Sequence, residues 1–527
     1  MDSVEQTLRR IGPCVSTQLV EALVSEYGLT PVAARQRVSR NKTIRRLAFL
    51  PFQRNARFVY LQSDYASPKF WRGLASALLE NSIAHGGALA ALMARGGIMP
   101  RVHFDIACGA PIAQRGHLSP ATILDRLEQA GLVQSIDIAG VGACVQLSHQ
   151  VDASSLEVAR MRARLKSEQI LLLAIKAWAR NLGLVSYDKV AIRDENSERG
   201  QPRVGTFAWD LTGPSYVAPM IDWSSGAPKP GFLACDVLLN AAVTGTHLKP
   251  FLNKCKTLRS LTKVGRCLQL FVAEGYEPEA FGLARAAGVV PATTSSLFGD
   301  EVAQALTVLT ELLSETFLRP DTVELLDLVL SRLTKIEGAA INLRGALFEF
   351  IVAELVRRSS VVSEVQMNEF FRDDQGRSAE VDVLVVRRGH SVRFIECRGY
   401  KPGGEVPDAM VDRWLDNRIP MLREAAHFER SWRGLDLVFE FWTSGQLSEK
   451  AKARIQEVQT TVRPGKYTVC LIEGDELRAL AKSIGDSALL KTLNEHYFEH
   501  PLEAANRKLR KREATGRLRA QSQLVRR

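Results

Sequence analysis

The spacing of apolar residues changes several times along the chain, and each change predicts an element. In STQLVEALVSEYG, after residue 14, apolar residues recur at helical spacing until Gly28 stops them. Thr30-Pro31 then supplies a cap and a first-turn proline for a second helix, PVAARQRVSR. Two apolar strands follow, IRRLAFLPF and ARFVYLQ, around a polar Gln53-Arg54-Asn55 tip. Residues 66–148 repeat this order at greater length, with SPATILDRLEQAGLV as capped helix and QSIDIAGVGACVQL as hairpin. Beyond 155 the pattern becomes α/β. RLKSEQILLLAIKAWARNLGLVS predicts a helix, TFAWDLTG and FLACDV strands, and CLQLFVAEGYEPEAFGLARAAGVV a strand and helix. LRPDTVELLDLVLSRLTKIEG reads as a helical connector into RGALFEFIVAELV (344–356), a helix carrying Glu349.

Residues 379–401, AEVDVLVVRRGHSVRFIECRGYK, hold the candidate chemistry. Two apolar strands flank a turn, and each carries one carboxylate, Asp382 between valines and Glu396 after Phe394-Ile395. An unpaired charge in a buried strand costs several kcal/mol, on the order of the desolvation penalty, so a cation is expected beside it. Strand pairing can bring both carboxylates to one end of a sheet, a hard-oxygen site suited to Mg²⁺ or Mn²⁺. The plainer alternative has Asp382 capping a turn and Glu396 paired with Arg398 or Arg393.

The order helix-Glu, strand-Asp, strand-Glu-x-cation resembles the PD-(D/E)XK, or restriction-endonuclease-like, nuclease superfamily. The resemblance covers about 320–490 and continues through helix VPDAMVDRWLDNRIPMLREAAHF, strand LDLVFEFW, helix LSEKAKARIQEVQ and strand YTVCLIEG. It implies that Asp382 and Glu396 hold the metal and that Glu349 orients metal or water. The family's lysine position is Arg398 here, which can stabilise developing phosphorane charge but has too high a pKa to accept a proton. Lys401, three residues on, is a second candidate for the cationic role. An inactivated copy of the same fold is expected over 151–315, because FLACDV (232–237) lines up with FIECRG (394–399). In that alignment Ala234 replaces Glu396 and Asp236 replaces Arg398, while Glu168 and Asp210 match Glu349 and Asp382; losing one carboxylate predicts poor Mg²⁺ binding.

The first sixty-odd residues resemble a winged helix-turn-helix. Residues 27–63 contain eight Lys/Arg and no acid. Arg35, Arg37, Arg40 and Lys42 fall on or just after the second helix, and Arg54 and Arg57 on the wing. Such a helix enters a major groove while wing cations meet phosphate; a solvated basic face is the plainer reading. The second module presents Asp125, Arg126, Glu128 and Gln129 on its helix, which suits protein packing better than phosphate.

Composition sharpens the partner. The 527 residues carry a net charge of +11, and residues 506–527, with nine Lys/Arg and one Glu, supply +8 of it. The remainder is near neutral, so nucleic acid is expected to meet local patches, the tail included. Eight scattered cysteines without a C-x-x-C pair fit a reducing cytoplasm. No signal peptide or membrane-spanning run is expected.

The expected fold is therefore multi-domain α/β and α+β: winged-helix modules (1–65 and 66–150), a degenerate restriction-endonuclease-like domain (151–315), a PD-(D/E)XK nuclease-like domain (316–490) and a basic tail (491–527). The expected function is a Mg²⁺-dependent DNA endonuclease, with a restriction or defence role implied by the resemblance alone. The alternative is a non-catalytic DNA-binding or scaffold protein with degenerate nuclease folds. Duplex DNA is the expected partner, RNA a weaker one, with room for a protein partner or homo-oligomer.

Overall fold

The computed structural model describes residues 2–47, 50, 52, 55–148, 155–194, 200–222, 229–262, 264–315, 319, 321–336, 338–359, 364–372, 378–462 and 466–499. The chain is a mixed α/β protein that divides into two compact units, Met1–Ala303 and Gln304–Arg527. The division falls earlier than the expected border at 315/316.

The first unit opens with α1 (Ser3–Ile11), β1 (Cys14–Val15), α2 (Ser16–Tyr27) and α3 (Pro31–Arg40). Next come β2 (Ile44–Arg46) and β3 (Phe58–Leu61), in a three-stranded sheet of order β1-β3-β2. The second segment contains α4 (Pro68–Asn81), α5 (Ile83–Met93), β4 (Ile98–Pro100), α6 (Arg101–Ala107) and α7 (Pro120–Gln129). It closes with the hairpin β5 (Val133–Ile138) and β6 (Gly142–Leu147), in order β4-β6-β5. Three of these helices start alike: Thr30, Ser67 and Ser119 accept from the N–H groups of Ala33, Phe70 and Thr122, with proline next to each cap. Such caps contribute about 1 kcal/mol apiece.

The two expected modules are not independent. One apolar cluster runs from Val15, Phe58 and Tyr60 through Phe70 and Phe104 to Ile123 and Val145. Segments this short bury little surface alone, so a shared core is the stabler arrangement.

The unit continues with α8 (Ser155–Asn181), β7 (Ala191–Ile192), a small hairpin of β8 (Arg203–Val204) and β9 (Phe207–Ala208), β10 (Leu211–Ser215) and β11 (Gly231–Val243). After them come α9 (Gly245–Arg259), β12 (Cys267–Tyr276), α10 (Pro278–Ala286), β13 (Val290–Thr293), α11 (Thr294–Phe298) and α12 (Asp300–Ser314), the last crossing the division between units. The second segment lies directly on α9. Gly109 has φ 72°, and a Cβ there would collide with the Pro250 carbonyl.

The second unit contains α13 (Thr322–Leu333), α14 (Ala339–Ser359), β14 (Glu364–Arg372), β15 (Ser378–Arg387) and β16 (Ser391–Arg398). Then follow α15 (Asp408–Arg413), a π-helical turn (Trp414–Arg418), α16 (Ile419–Phe428), β17 (Asp436–Thr443), α17 (Glu449–Thr461), β18 (Thr468–Ile472), α18 (Gly474–Ile484) and α19 (Ser487–Leu493). Trp414, Leu422 and Ile455 pack with Phe394, Phe439 and Phe441 in one cluster over the sheet. The expected tail begins too early at 491: the turn Asn494–Phe498 continues α19, and buried Tyr497 donates its hydroxyl to Arg344 O at 3.1 Å. Residues 500–527, and with them the basic run, lie outside the described residues.

The two large sheets share one strand order. Each follows a long helix, α8 or α14, and has five strands: β7-β10-β11-β12-β13 and β14-β15-β16-β17-β18. In both, the first three strands pair antiparallel and the last three parallel. Parallel pairing requires crossovers, which α9 and α10 supply in one sheet and α15–α17 in the other. No helix among the described residues is long and apolar enough to cross a membrane.

Candidate functional site

Strand register puts the predicted carboxylates together. Val383 pairs with Ile395, so Asp382 lies opposite Glu396 on the neighbouring strand. Asp382 Oδ2 accepts from Cys397 N at 2.7 Å and from Arg398 Nη1 at 3.2 Å. Arg398 Nη1 also donates to its neighbour's carbonyl, Cys397 O, at 2.6 Å, while Nη2 pairs with Glu396 Oε1. Three oxygens therefore converge on one guanidinium. The other Glu396 oxygen, Oε2, pairs with Arg418 from the π-helical turn.

Asp382 and Glu396 are thus each paired with arginine at the strand ends. Burial, with Asp382 adding to it, pushes the Glu396 carboxyl up to about 7 against the pull of Arg398 and Arg418. For Arg398, burial favours the neutral form, but Asp382 and Glu396 outweigh it and raise its pKa above the ordinary arginine value.

Glu349, half-buried on α14, acts electrostatically on Cys397 and Arg398, so it belongs to the same strand end. The helix is held close at Gly399, where a Cβ would fall 2.5 Å from both Arg344 O and Phe348 Cβ. Lys401 is different. It is exposed in the turn after β16 and forms no ion pair with a carboxylate among the described residues. Arg393, the alternative partner for Glu396, instead forms a two-pronged pair with Glu440 at 2.7 and 2.9 Å.

The first unit carries a matching constellation, and its register corrects the sequence alignment. Leu211 pairs with Cys235, so Asp210 faces Asp236 as Asp382 faces Glu396. The backbone bond repeats as well: Val237 N donates to Asp210 Oδ2 at 2.8 Å, the counterpart of Cys397 N to Asp382. Asp236, not Ala234, is therefore the equivalent of Glu396, and the expected loss of that carboxylate is overturned. The letter match between FLACDV and FIECRG is two residues out of step with strand pairing.

Here the acids are sealed in. Arg193 bridges Asp210 Oδ1 at 2.7 Å and Glu168 Oε2 at 2.5 Å, and Lys254 from α9 pairs with Asp236 Oδ2 at 2.6 Å. Lys254 Nζ also lies 3.9 Å from the Trp209 ring centroid and donates to Ile106 O at 3.3 Å. Arg164 approaches Glu168 at 4.0 Å, and the exposed Asp194 lies 3.9 Å from Arg193 at the edge of the network. Burial opposes charge on Glu168, but Arg193 and Arg164 outweigh it and hold its carboxyl below the usual range. Burial dominates at Asp236, pushed up to about 6 despite Lys254. Arg193 and Lys254 are 3% and 1% exposed, against 24% and 22% for Arg398 and Arg418. The first site is closed and the second half-open.

Arg164, Arg193, Lys254 and Arg418 escaped sequence reasoning. Lys254 left a trace, since it shares a helix stripe with Phe251, Cys255 and Leu258, where a cation needs a buried partner. Arg164 and Glu168 form an i, i+4 pair visible in RLKSE. A separate cluster of Asp327, Glu495 and His496 has metal-ligand residue types. Lys491 already sits there, with Nζ 3.0 Å from Asp327 and 3.9 Å from Glu495, and His496 Nε2 lies 3.1 Å from Asp327. Lys491 thus already holds the position between the two carboxylates.

On the N-terminal segment, Arg35, Arg37, Arg40, Lys42 and Arg57 are all exposed. Arg54 lies outside the described residues. Arg46 is spent internally, its Nη2 donating to Val38 O at 2.5 Å and to Ser39 O and Asn41 O at 3.2 Å, which closes the end of α3. Comparisons with protein-family models, with curated proteins and with solved structures return no match for this chain.

Proposed function

We propose that the chain is a duplex-DNA-binding protein whose two restriction-endonuclease-like domains serve as scaffold. The observation that carries this reading is the pair of internal cation locks. In each domain the strand carboxylates are matched by an arginine and by a cation from the following crossover, Lys254 or Arg418. An arginine cannot be neutralised at ordinary pH, so Arg193, Arg398 and Arg418 leave the carboxylates only by moving as charged side chains. Support for DNA comes from α3 and the strands after it, read as a winged helix-turn-helix with an exposed basic face.

A second reading is favoured by the oxygens around Arg398. Asp382 Oδ2, Glu396 Oε1 and Cys397 O are the donor type Mg²⁺ takes, and Arg398 and Arg418 are exposed enough to swing away. The donor set fits the ion. Asp382, Glu396 and Cys397 O would hold it, and Glu349 would orient water beside it; the metal would supply a Lewis acid and an activated water. On this reading the second domain is a Mg²⁺-dependent DNA endonuclease.

The test pairs binding with cleavage. Full-length protein is titrated into a 30-base-pair duplex across a salt series, and incubated with plasmid in Mg²⁺, Mn²⁺ or EDTA. Salt-sensitive binding without nicking is the expected result. Metal-dependent nicking, abolished in both Asp382→Ala and Glu396→Ala, would transfer the conclusion to the endonuclease. Absence of duplex binding at low salt would remove both readings.

A further inference from the structure

The outward face of α3 is not uniformly basic. Val32, Gln36, Ser39 and Arg40 are all exposed, recur at i, i+4, i+7 and i+8, and lie away from Ala34 and Val38, which enter the core. Val32 is 61% exposed, an apolar side chain in the middle of a basic segment. Gln36 and Arg40 form no hydrogen bond or ion pair among the described residues. They line a groove of about 480 Å³ with Asp2, Ala33, Arg37 and Asn41. Asp2, the one carboxylate there, is already engaged by Val4 N and Asn41 Nδ2. Arg35 and Arg37 flank the stripe on opposite sides, and Arg37 leans toward α1, with Nη1 3.4 Å from Ser3 Oγ. Lys42 and Arg45 follow just beyond the helix.

A phosphate-only surface needs cations and nothing else. This stripe instead places an apolar group, an amide and a guanidinium in line, flanked by cations. Those groups match the major-groove edges of B-form DNA: an apolar contact for the thymine methyl, an amide for adenine N6/N7, and a guanidinium for guanine O6/N7. We propose that α3 reads base sequence through Val32, Gln36 and Arg40, while Arg35, Arg37, Lys42 and Arg45 hold the phosphates. The proposal rests on the duplex-DNA reading above and adds sequence preference to it. The occupant is B-form duplex, favoured over a protein partner because residues 27–63 contain no acid and eight basic side chains.

Selection from a random duplex pool by the full-length protein tests the proposal, followed by titration of the enriched and scrambled duplexes. A short enriched motif is expected. Gln36→Ala should relax preference at one base-pair position by roughly tenfold and leave the salt slope unchanged. Arg35→Ala should weaken enriched and scrambled duplexes alike and reduce the log–log salt slope by about 0.9. All these side chains are exposed, and circular dichroism checks that the variants fold. Salt-sensitive binding with no enriched motif would overturn sequence reading and leave DNA binding standing. A motif that survives Val32→Ala, Gln36→Ala and Arg40→Ala would overturn the assignment to α3. No binding to any duplex would remove the underlying reading itself.

Discussion

At the scale of single residues, the two carboxylate sites differ in what their cations must do. Arg398 offsets a Glu396 whose carboxyl is already pushed up to about 7, from an ordinary value of 4.5. A folded-state pKa above the unfolded one means that the folded protein binds the extra proton. Stability linked to this group is full below about 4.5 and is lost as pH rises through 7. Arg398→Ala removes one of the groups that lower the pKa, so the loss deepens at high pH. Differential scanning fluorimetry should show a larger Tm deficit at pH 8 than at pH 5.5. The cost should be about 1–3 kcal/mol at pH 8, less than for a sealed pair because solvent reaches both arginines. An equal deficit at both values would mean that Arg398 does not offset Glu396. In the closed site, Asp236→Asn strands Lys254 without its partner at 1% exposure. The expected cost is about 3–5 kcal/mol, largely recovered in Asp236→Asn/Lys254→Met, where neither charge remains buried. Denaturant midpoints of the first unit measure both.

At the scale of elements, most individual helices and strands were legible because periodicity and caps are local signals. Thr30-Pro31 and Ser119-Pro120 begin helices as their caps require, and the strands around Asp382 and Glu396 pair across the turn between them. Register between strands is not local, and letters misled there. Cys235 and Cys397 look equivalent in the sequence, yet the backbone bonds to Asp210 and Asp382 come from Val237 and Cys397. The cations fared worst, since Arg418 reaches Glu396 from a π-helical turn that interrupts the long helix predicted over VPDAMVDRWLDNRIPMLREAAHF. A widened turn shifts every later side chain around the helix axis, and an amphipathic pattern does not announce it. The seat of α14 on β16 is a testable consequence of close packing. Gly399→Ala drives a methyl into Arg344 O and Phe348 Cβ at 2.5 Å. Backbone there has little room to yield, so a loss of about 1–3 kcal/mol in the second unit is expected by denaturant titration. A neutral result would mean that α14 lifts freely and that Glu349 is not held at the site.

At the scale of the whole molecule, charge placement separates two ways in which the proposed duplex would be held. Residues 506–527 supply +8 of the net +11, while residues 27–63, with eight Lys/Arg and no acid, carry α3, whose exposed basic face includes an apolar and an amide side chain. A concentrated run of cations acts on phosphate through counterion release, which depends on salt and ignores sequence. An ordered helix face depends less steeply on salt and discriminates among bases. The two contributions should therefore come apart on truncation. Removing residues 506–527 should weaken binding to enriched and scrambled duplexes by a similar factor and flatten the salt dependence by about 0.9 for each phosphate no longer neutralised. The ratio of affinities between the two duplexes should stay constant. Fluorescence anisotropy across a salt series on both duplexes reads all three quantities. If truncation instead collapses the ratio while the salt slope holds, sequence discrimination resides in the basic run, and α3 is only a packed helix with a solvated face.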